Sequence, residues 1–329
     1  MTQRIAGLDL LRGIAIGLVI LRHAVPAVAP GSGVVGVVMF FALSGYLITG
    51  LLSEELDRRG RLDLRRFYAR RARRLVPALL LLVAGVVVVT LLLDPLGDRD
   101  ELVKTVVVAL TWTGNLPFCH ASDATFHLWT LATEEQFYLI WPALLLLLGV
   151  RHGFAVAAVG TVALLVATVV WLRAVPDNAY SLPTPWMVCF VVGAAARLYG
   201  HRLAVPRWAA PLALAGLAVL SVVPLRGHAL TYLAGGPAIA TLTAVLLLSW
   251  RTWTEVTTPA LRALAWLGTV SYAAYLWNYP LTLWLRPHVD HGAGPLAAVL
   301  TIGAAALSWY AVERRFVGRP SRDGGLVRA

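Results

Sequence analysis

The sequence predicts an all-α fold, a polytopic bundle of about ten transmembrane helices. Three observations point there. Of 329 residues, 59% are hydrophobic and only 14% charged, whereas a soluble domain carries about a quarter charged residues. Mean hydropathy is +0.73, which excludes an ordinary soluble globule and also disorder, since disorder requires low hydrophobicity and high net charge. Apolar stretches recur at 9–29, 33–53, 77–94, 102–118, 127–150, 154–175, 185–200, 209–225, 231–250, 265–285 and 295–315. All but one approach the ~20 residues that a bilayer span requires.

The first stretch holds Asp9, Arg12, Arg22 and His23. It runs on into Arg22 and His23 without a small-residue cleavage site, so it reads as a span and not as a signal peptide. Ionisable groups inside a span are costly and usually face the bundle interior. Arg12 and His23 stand eleven residues apart, which is three helical turns, ~16 Å, on nearly one face. Snorkelling would account for either arginine alone, but the alignment favours a shared polar face. The second stretch contains Phe40-Phe41-Ala42-Leu43-Ser44-Gly45, where Ser44 and Gly45 permit close helix approach.

The loop 54–76 is the most charged part of the chain, with Arg65, Arg66, Arg70, Arg71, Arg73 and Arg74 within ten residues. Arg70, Arg73 and Arg74 share one helix face by spacing. Topology and attraction to anionic lipid account for part of this charge. The guanidinium fork also suits phosphate, which makes Arg70, Arg71, Arg73 and Arg74 candidates for a cytoplasmic anion site.

The stretch 102–118 is the weakest, with Lys104, Thr105, Thr111, Thr113, Asn115 and Pro117. Charge decides its placement. If it does not span and the N-terminus is cytoplasmic, 21 basic residues lie inside and 5 outside. If it spans, the two sides tie. The positive-inside rule prefers the first arrangement. The expectation is ten spans, both termini cytoplasmic, with 102–118 an outer-loop or re-entrant segment. The net charge of +11 then follows from topology, and no nucleic-acid partner is implied.

The segment His127 to Pro142 carries Glu134, Glu135, Gln136 and Tyr138 into an apolar helix. Adjacent carboxylates diverge by ~100° around a helix, so the two glutamates cannot face one partner. A membrane-embedded glutamate is a site candidate by default, although an early-turn position also suits the helix dipole. The stretches from 154 to 250 offer apolarity and little chemistry. Asn278 is polar within an aromatic run, and Glu313 is expected to pair with Arg314 and Arg315 at the inner surface. Cys119 and Cys189 lie in separate segments, so no disulfide framework and no metal site follows. There is no internal repeat. A membrane domain at 1–320 and a cytoplasmic tail at 321–329 complete the expected organisation.

In their order along the chain, these pieces resemble the membrane-bound acyltransferase family 3, which includes bacterial O-antigen, exopolysaccharide and macrolide O-acyltransferases. The likeness rests on Gly7 to Ala15 with His23 following, Phe40 to Ile48, Arg70 to Pro77, His127 to Pro142, Gly268 to Tyr272, and Tyr310 to Arg314. The resemblance implies transfer of an acyl group, often acetyl, from acyl-CoA to a hydroxyl of a sugar, polysaccharide, glycolipid or glycosylated natural product. It implies a bacterial inner-membrane enzyme whose partners are the donor, a glycan-type acceptor and the bilayer. No permanently bound cofactor is implied; the resemblance implies acyl-CoA, as acetyl-CoA, for a co-substrate. Arg12 and His23 match the family's arginine and histidine of the first helix. Many relatives carry histidine where this chain has Asn278, so that position is not assigned to catalysis here. The usual Glu-Arg-Pro reads Glu313-Arg314-Arg315.

The expected mechanism has His23 as general base, with Glu134 or Glu135 orienting it or binding the acceptor. Arg12, Arg70, Arg71, Arg73 and Arg74 would hold the acyl-CoA. Ser44, Tyr138, Tyr272 and Asn278 are acceptor-site or structural candidates. The alternative is a proton-coupled transporter, which also uses buried His, Glu and Arg. It ranks lower because the repeats and paired broken helices typical of transporters are not seen.

Overall fold

The computed structural model of the chain describes residues 5–117, 119, 121–172, 176–289 and 292–316. The tail 321–329 and the topological arginines Arg4, Arg173, Arg319, Arg322 and Arg328 lie outside the described residues. Among those described, every regular element is helical. The helices are α1 (Ala6–Ala24), α2 (Ser32–Arg59), α3 (Leu64–Leu92), α4 (Leu102–Thr111), α5 (Trp129–Trp171) and α6 (Met187–Tyr199). They continue with α7 (Ala209–Val222), α8 (Gly236–Trp250), α9 (Pro259–Thr269), α10 (Ser271–Leu285) and α11 (Ala293–Ser308).

Five helical runs are long and apolar enough to cross a membrane: Ser32–Arg59, Leu64–Leu92, Asp123–Trp171, Thr231–Trp250 and Ala293–Phe316. The sequence suggests about ten, and the difference has local causes. Helix α1 has 19 residues, but its ionisable groups lower its apolarity. Helices α6 and α7 have 13 and 14 residues. The apolar stretch 265–285 is divided between α9 and α10 at Val270. Helix α5 is two helices joined at Gly149, whose φ of 71° is non-helical; glycine takes that left-handed backbone without steric cost. Helix α4 has ten residues, ~15 Å of helix, half of a ~30 Å hydrocarbon core. The loop after it turns back onto α5. Buried Asn115 exchanges two side-chain amide hydrogen bonds with Gln136, each 2.9 Å.

Helix α2 forms the centre, packed against α1, α6 and α8. The small residues of its sequence act as the spacing suggests. A Cβ on Gly45 would collide with the carbonyl of Phe190 in α6, and one on Gly193 with the carbonyl of Ala42 in α2. The α1–α9 crossing repeats the device, with Gly13 against Leu264 and Gly268 against Asp9. Without water to drive association, helices in a bilayer gain from such close backbone approach. Part of the basic charge is structural too. Arg197 of α6 pairs with Glu54 of α2 and lies 5.7 Å over the ring of Tyr46.

One expectation is corrected here. Glu313 does not pair with Arg314 or Arg315. It is buried and accepts a hydrogen bond from Ser308 Oγ at 2.7 Å, while Arg314 lies over the ring of Tyr310. The cause is a π-helical turn at Trp309–Glu313, whose extra residue rotates the following side chains relative to a regular helix.

Candidate active site

A cavity of about 90 Å³ lies where α1, α2, α3, α5 and α10 meet. Its polar lining is Arg12 from α1, Ser44 from α2, Arg71 and Arg74 from α3, Thr130, Glu134 and Tyr138 from α5, and Ser271, Tyr272 and Tyr275 from α10. Phe40, Phe41, Leu47 and Leu131 supply apolar walls. One turn of α3 sets Arg71 and Arg74 three apart on the inner face, and α5 sets Glu134 and Tyr138 four apart.

Glu134 organises the carboxylate side of the cavity. Its Oε1 accepts from the Ser44 hydroxyl and lies 3.1 Å from the Tyr138 hydroxyl. The Tyr138 and Ser44 hydroxyls are themselves 3.0 Å apart. Arg71 lies over the Tyr138 ring, its Cζ 4.3 Å from the centroid. Arg12 reaches Asp9 at 3.8 Å. Three guanidiniums thus converge on a cavity lined by one carboxylate, an excess of positive charge in a low-dielectric space that favours an anionic ligand.

The structure sorts the residues singled out in the sequence. Arg12, Arg71, Arg74, Ser44, Glu134, Tyr138 and Tyr272 come together at the cavity. Arg73 is exposed and folds back on the Ala69 carbonyl. Arg70 is half-buried beside the cavity, with Nη2 lacking a partner. Glu135 follows Glu134 by the expected ~100° of helix rotation and is not in the lining. Tyr272 lines the wall while its hydroxyl donates to the Leu75 carbonyl at 3.1 Å.

His23 and Asn278 form a second polar cluster. His23 Nδ1 lies 2.5 Å from Asn278 Oδ1, and its ring meets Tyr279 edge-on at 5.4 Å. A chain of side chains joins this cluster to the cavity wall. Thr130 Oγ1 donates to the Tyr275 hydroxyl at 2.7 Å, and that hydroxyl donates to the His127 carbonyl at 3.0 Å. The His127 ring stands 5.3 Å from Tyr279. Sequence reasoning did not single out Thr130, Tyr275 or the His127 side chain. One signal was present: Ser271, Tyr275, Asn278 and Thr282 recur at helical spacing, a polar stripe on an otherwise apolar helix. Among the described residues, no cluster of three or more His, Cys, Asp or Glu could hold a metal ion.

Comparison with known proteins adds to this geometry. Residues 5–313 match the family whose model is described as an acyltransferase domain. The chain is 28% identical to the peptidoglycan O-acetyltransferase OatA of Listeria monocytogenes, over 98% of this chain and 56% of that protein. It is 27% identical to the O-acetyltransferase OatA of Staphylococcus aureus strain NCTC 8325, over 97% of this chain and 57% of that protein. The chain thus spans a little over half the length of these curated relatives. No solved structure matches it.

Proposed function

The chain belongs to the acyltransferase 3 family, and from that premise we propose that it is a membrane O-acyltransferase that moves an acetyl group from acetyl-CoA to a glycan hydroxyl. The names of its relatives make peptidoglycan the first acceptor to test. The observation that carries the reading is the convergence of Arg12, Arg71 and Arg74 on one cavity, with His23 on the same helix as Arg12. A proton-coupled transporter has no such family support.

The topology proposed is ten spans with both termini cytoplasmic. The spans are α1, α2, α3, the two halves of α5, α6, α7, α8 with its preceding turn, α9 joined to α10, and α11. The segment around α4 lies on the outer side. Arg12, Arg71 and Arg74 then face the cytoplasmic half and hold the anionic donor, with Arg70 and Arg73 at the entrance. His23 lies ~16 Å further along α1, in the outer half.

Chemically, His23 Nε2 takes the proton of the acceptor hydroxyl as its oxygen attacks the thioester carbonyl. The C–O bond forms, the C–S bond breaks, and the CoA thiolate takes the proton from the imidazolium. Glu134, held by Ser44 and Tyr138, orients the reacting groups on the donor side.

The test is acetyl-CoA binding by purified protein in lipid nanodiscs, wild type against Arg71→Ala/Arg74→Ala, followed by transfer of labelled acetyl to peptidoglycan fragments. Saturable binding that is lost in the double variant, with transfer that is lost in His23→Ala, is the expected result. Full transfer by a correctly inserted His23→Ala protein would overturn the base assignment.

A further inference from the structure

We propose that Asn278 and Thr301 are positioning residues that fix His23 in the tautomer with the proton on Nδ1, leaving Nε2 as the lone-pair nitrogen. The inference deepens the reading of His23 as the base, and it stands on a hydrogen-bond chain across three helices.

The chain starts on α11. Thr301 Oγ1 donates its only proton to the Ala297 carbonyl at 2.7 Å. The hydroxyl can therefore only accept from its other neighbour, Asn278, whose Nδ2 stands 3.1 Å away on α10. An amide group has one donor end and one acceptor end. With Nδ2 turned to Thr301, Oδ1 must face α1, where His23 Nδ1 lies 2.5 Å away. An amide oxygen accepts and never donates, so the proton on that bond belongs to Nδ1. A neutral imidazole carries one N–H, so Nε2 is left unprotonated, and no hydrogen-bond partner for it exists among the described residues.

The opposite amide orientation fails at Thr301, where it would set Oδ1 against a hydroxyl oxygen whose proton is committed to the Ala297 carbonyl. At His23 either orientation could form a hydrogen bond, so the choice is made by Thr301. Solvent does not blur the choice, because Asn278 is 1% exposed and Thr301 0%. Thr282 Oγ1 also donates to the Asn278 carbonyl at 2.7 Å, and Tyr279 packs edge-on against the imidazole. The donor cavity does not include Asn278 or Thr301, so their effect on the reaction runs through His23. Histidines whose second nitrogen is held this way gain a defined tautomer and orientation.

The experiment reads the tautomer directly. Protein labelled with [15N]histidine is placed in lipid nanodiscs, and the His23 nitrogens are assigned by comparison with His23→Gln. The expected wild-type spectrum has a protonated Nδ1 and an unprotonated Nε2. In Asn278→Leu and in the near-isosteric Thr301→Val, the Nδ1–H population is expected to fall. Acetyl transfer to peptidoglycan fragments is expected to drop about 10- to 100-fold in kcat, as for other residues that orient a functional histidine. The acetyl-CoA dissociation constant is expected to stay within about twofold, since the cavity arginines are untouched, a contrast that a general loss of structure would not produce.

A wild-type His23 protonated on Nε2 overturns the proposal. So does an unchanged Nδ1–H population in Asn278→Leu. If that variant does not insert, Thr301→Val carries the same test with the smaller perturbation. The tautomer is visible without turnover, so failure of acetyl transfer in the wild type would count against the function and leave this inference separately decided.

Discussion

Removing the carboxylate of Glu134 is expected to separate donor binding from turnover. Glu134→Ala takes away the oxygen that accepts from Ser44 and stands 3.1 Å from the Tyr138 hydroxyl. A hydrogen bond to a charged acceptor is worth about 1.5–3 kcal/mol. The two hydroxyls keep their mutual 3.0 Å contact, so one of them loses a partner, not both. The expected destabilisation is therefore about 2 kcal/mol. Glu134→Gln retains an acceptor oxygen of neutral strength and is expected to cost about 1 kcal/mol. Both losses are read as lowered midpoints of unfolding in detergent. Function follows the opposite order. The lost charge lies in a cavity also lined by three arginines, so affinity for anionic acetyl-CoA is expected to hold or rise. Turnover is expected to fall by about 10²–10³, the usual cost of deleting a group that organises a reacting centre. Calorimetric titration of acetyl-CoA and a labelled-acetyl transfer assay measure the two quantities on the same preparation. If both variants insert normally yet lose acetyl-CoA binding, the arginine cavity is not the donor site, and the reasoning fails.

Four further outcomes follow from the same geometry. Arg71→Lys keeps the charge but loses the guanidinium contact 4.3 Å over Tyr138; with cation–π attraction of up to about 2 kcal/mol in a desolvated place, acetyl-CoA affinity is expected to weaken about tenfold by calorimetry. Asn115→Leu strands the Gln136 amide and is expected to cost about 2 kcal/mol in thermal melts, most of it recovered in Asn115→Leu/Gln136→Leu because removing both partners leaves nothing unsatisfied. Gly193→Leu forces a side chain into the carbonyl of Ala42 and is expected to lose more than about 3 kcal/mol or fail to insert, whereas Gly160→Leu, with nothing within 4 Å, is expected to be silent by monodisperse yield. Tyr275→Phe deletes two hydroxyl bonds, to Thr130 and His127, worth about 1 kcal/mol each; release of free CoA without acceptor, followed by a thiol reagent, is expected to rise about 5- to 30-fold.

Much of the fold was legible because a bilayer imposes length on apolar sequence. The gap between the stretches 127–150 and 154–175 falls two residues past the break found at Gly149, and the weak stretch at 102–118 becomes the ten-residue α4. What the stretches do not contain is tertiary register. Val270 ends α9 and begins α10 with no helix breaker at that position. Glu313 turns inward as the last residue of a π-helical turn, and such turns are set by packing. The site divides the same way. Arg12, His23 and Glu134 announce themselves, since an ionisable group inside a span is too costly to be incidental. Which of four neighbouring arginines enters the cavity depends on the rotation of α3 about its own axis, and that rotation is fixed by contacts with other helices. Thr301 carried no signal at all, because a threonine in an apolar helix usually bonds only its own backbone.

Helix α10 ties the two polar compartments together. Ser271, Tyr275, Asn278 and Thr282 lie along one face at spacings of four, three and four, the repeat of a helical stripe. At its start the face closes the arginine cavity through Ser271 and Tyr275; further along it holds His23 through Asn278. Between them the Tyr275 hydroxyl is pinned to Thr130 and to His127. A cavity of about 90 Å³ has room for about six to nine waters at ~10–15 Å³ each. On the proposed reaction, the donor held at the arginines and the base at His23 lie at the two ends of this face. Tyr275 and Asn278 are three residues apart on one helix, so the side chain that lines the cavity and the one that bonds the base answer to the same element. That coupling is why free CoA release by Tyr275→Phe bears on more than a single hydroxyl: it asks whether donor access and base orientation are held by one helix face.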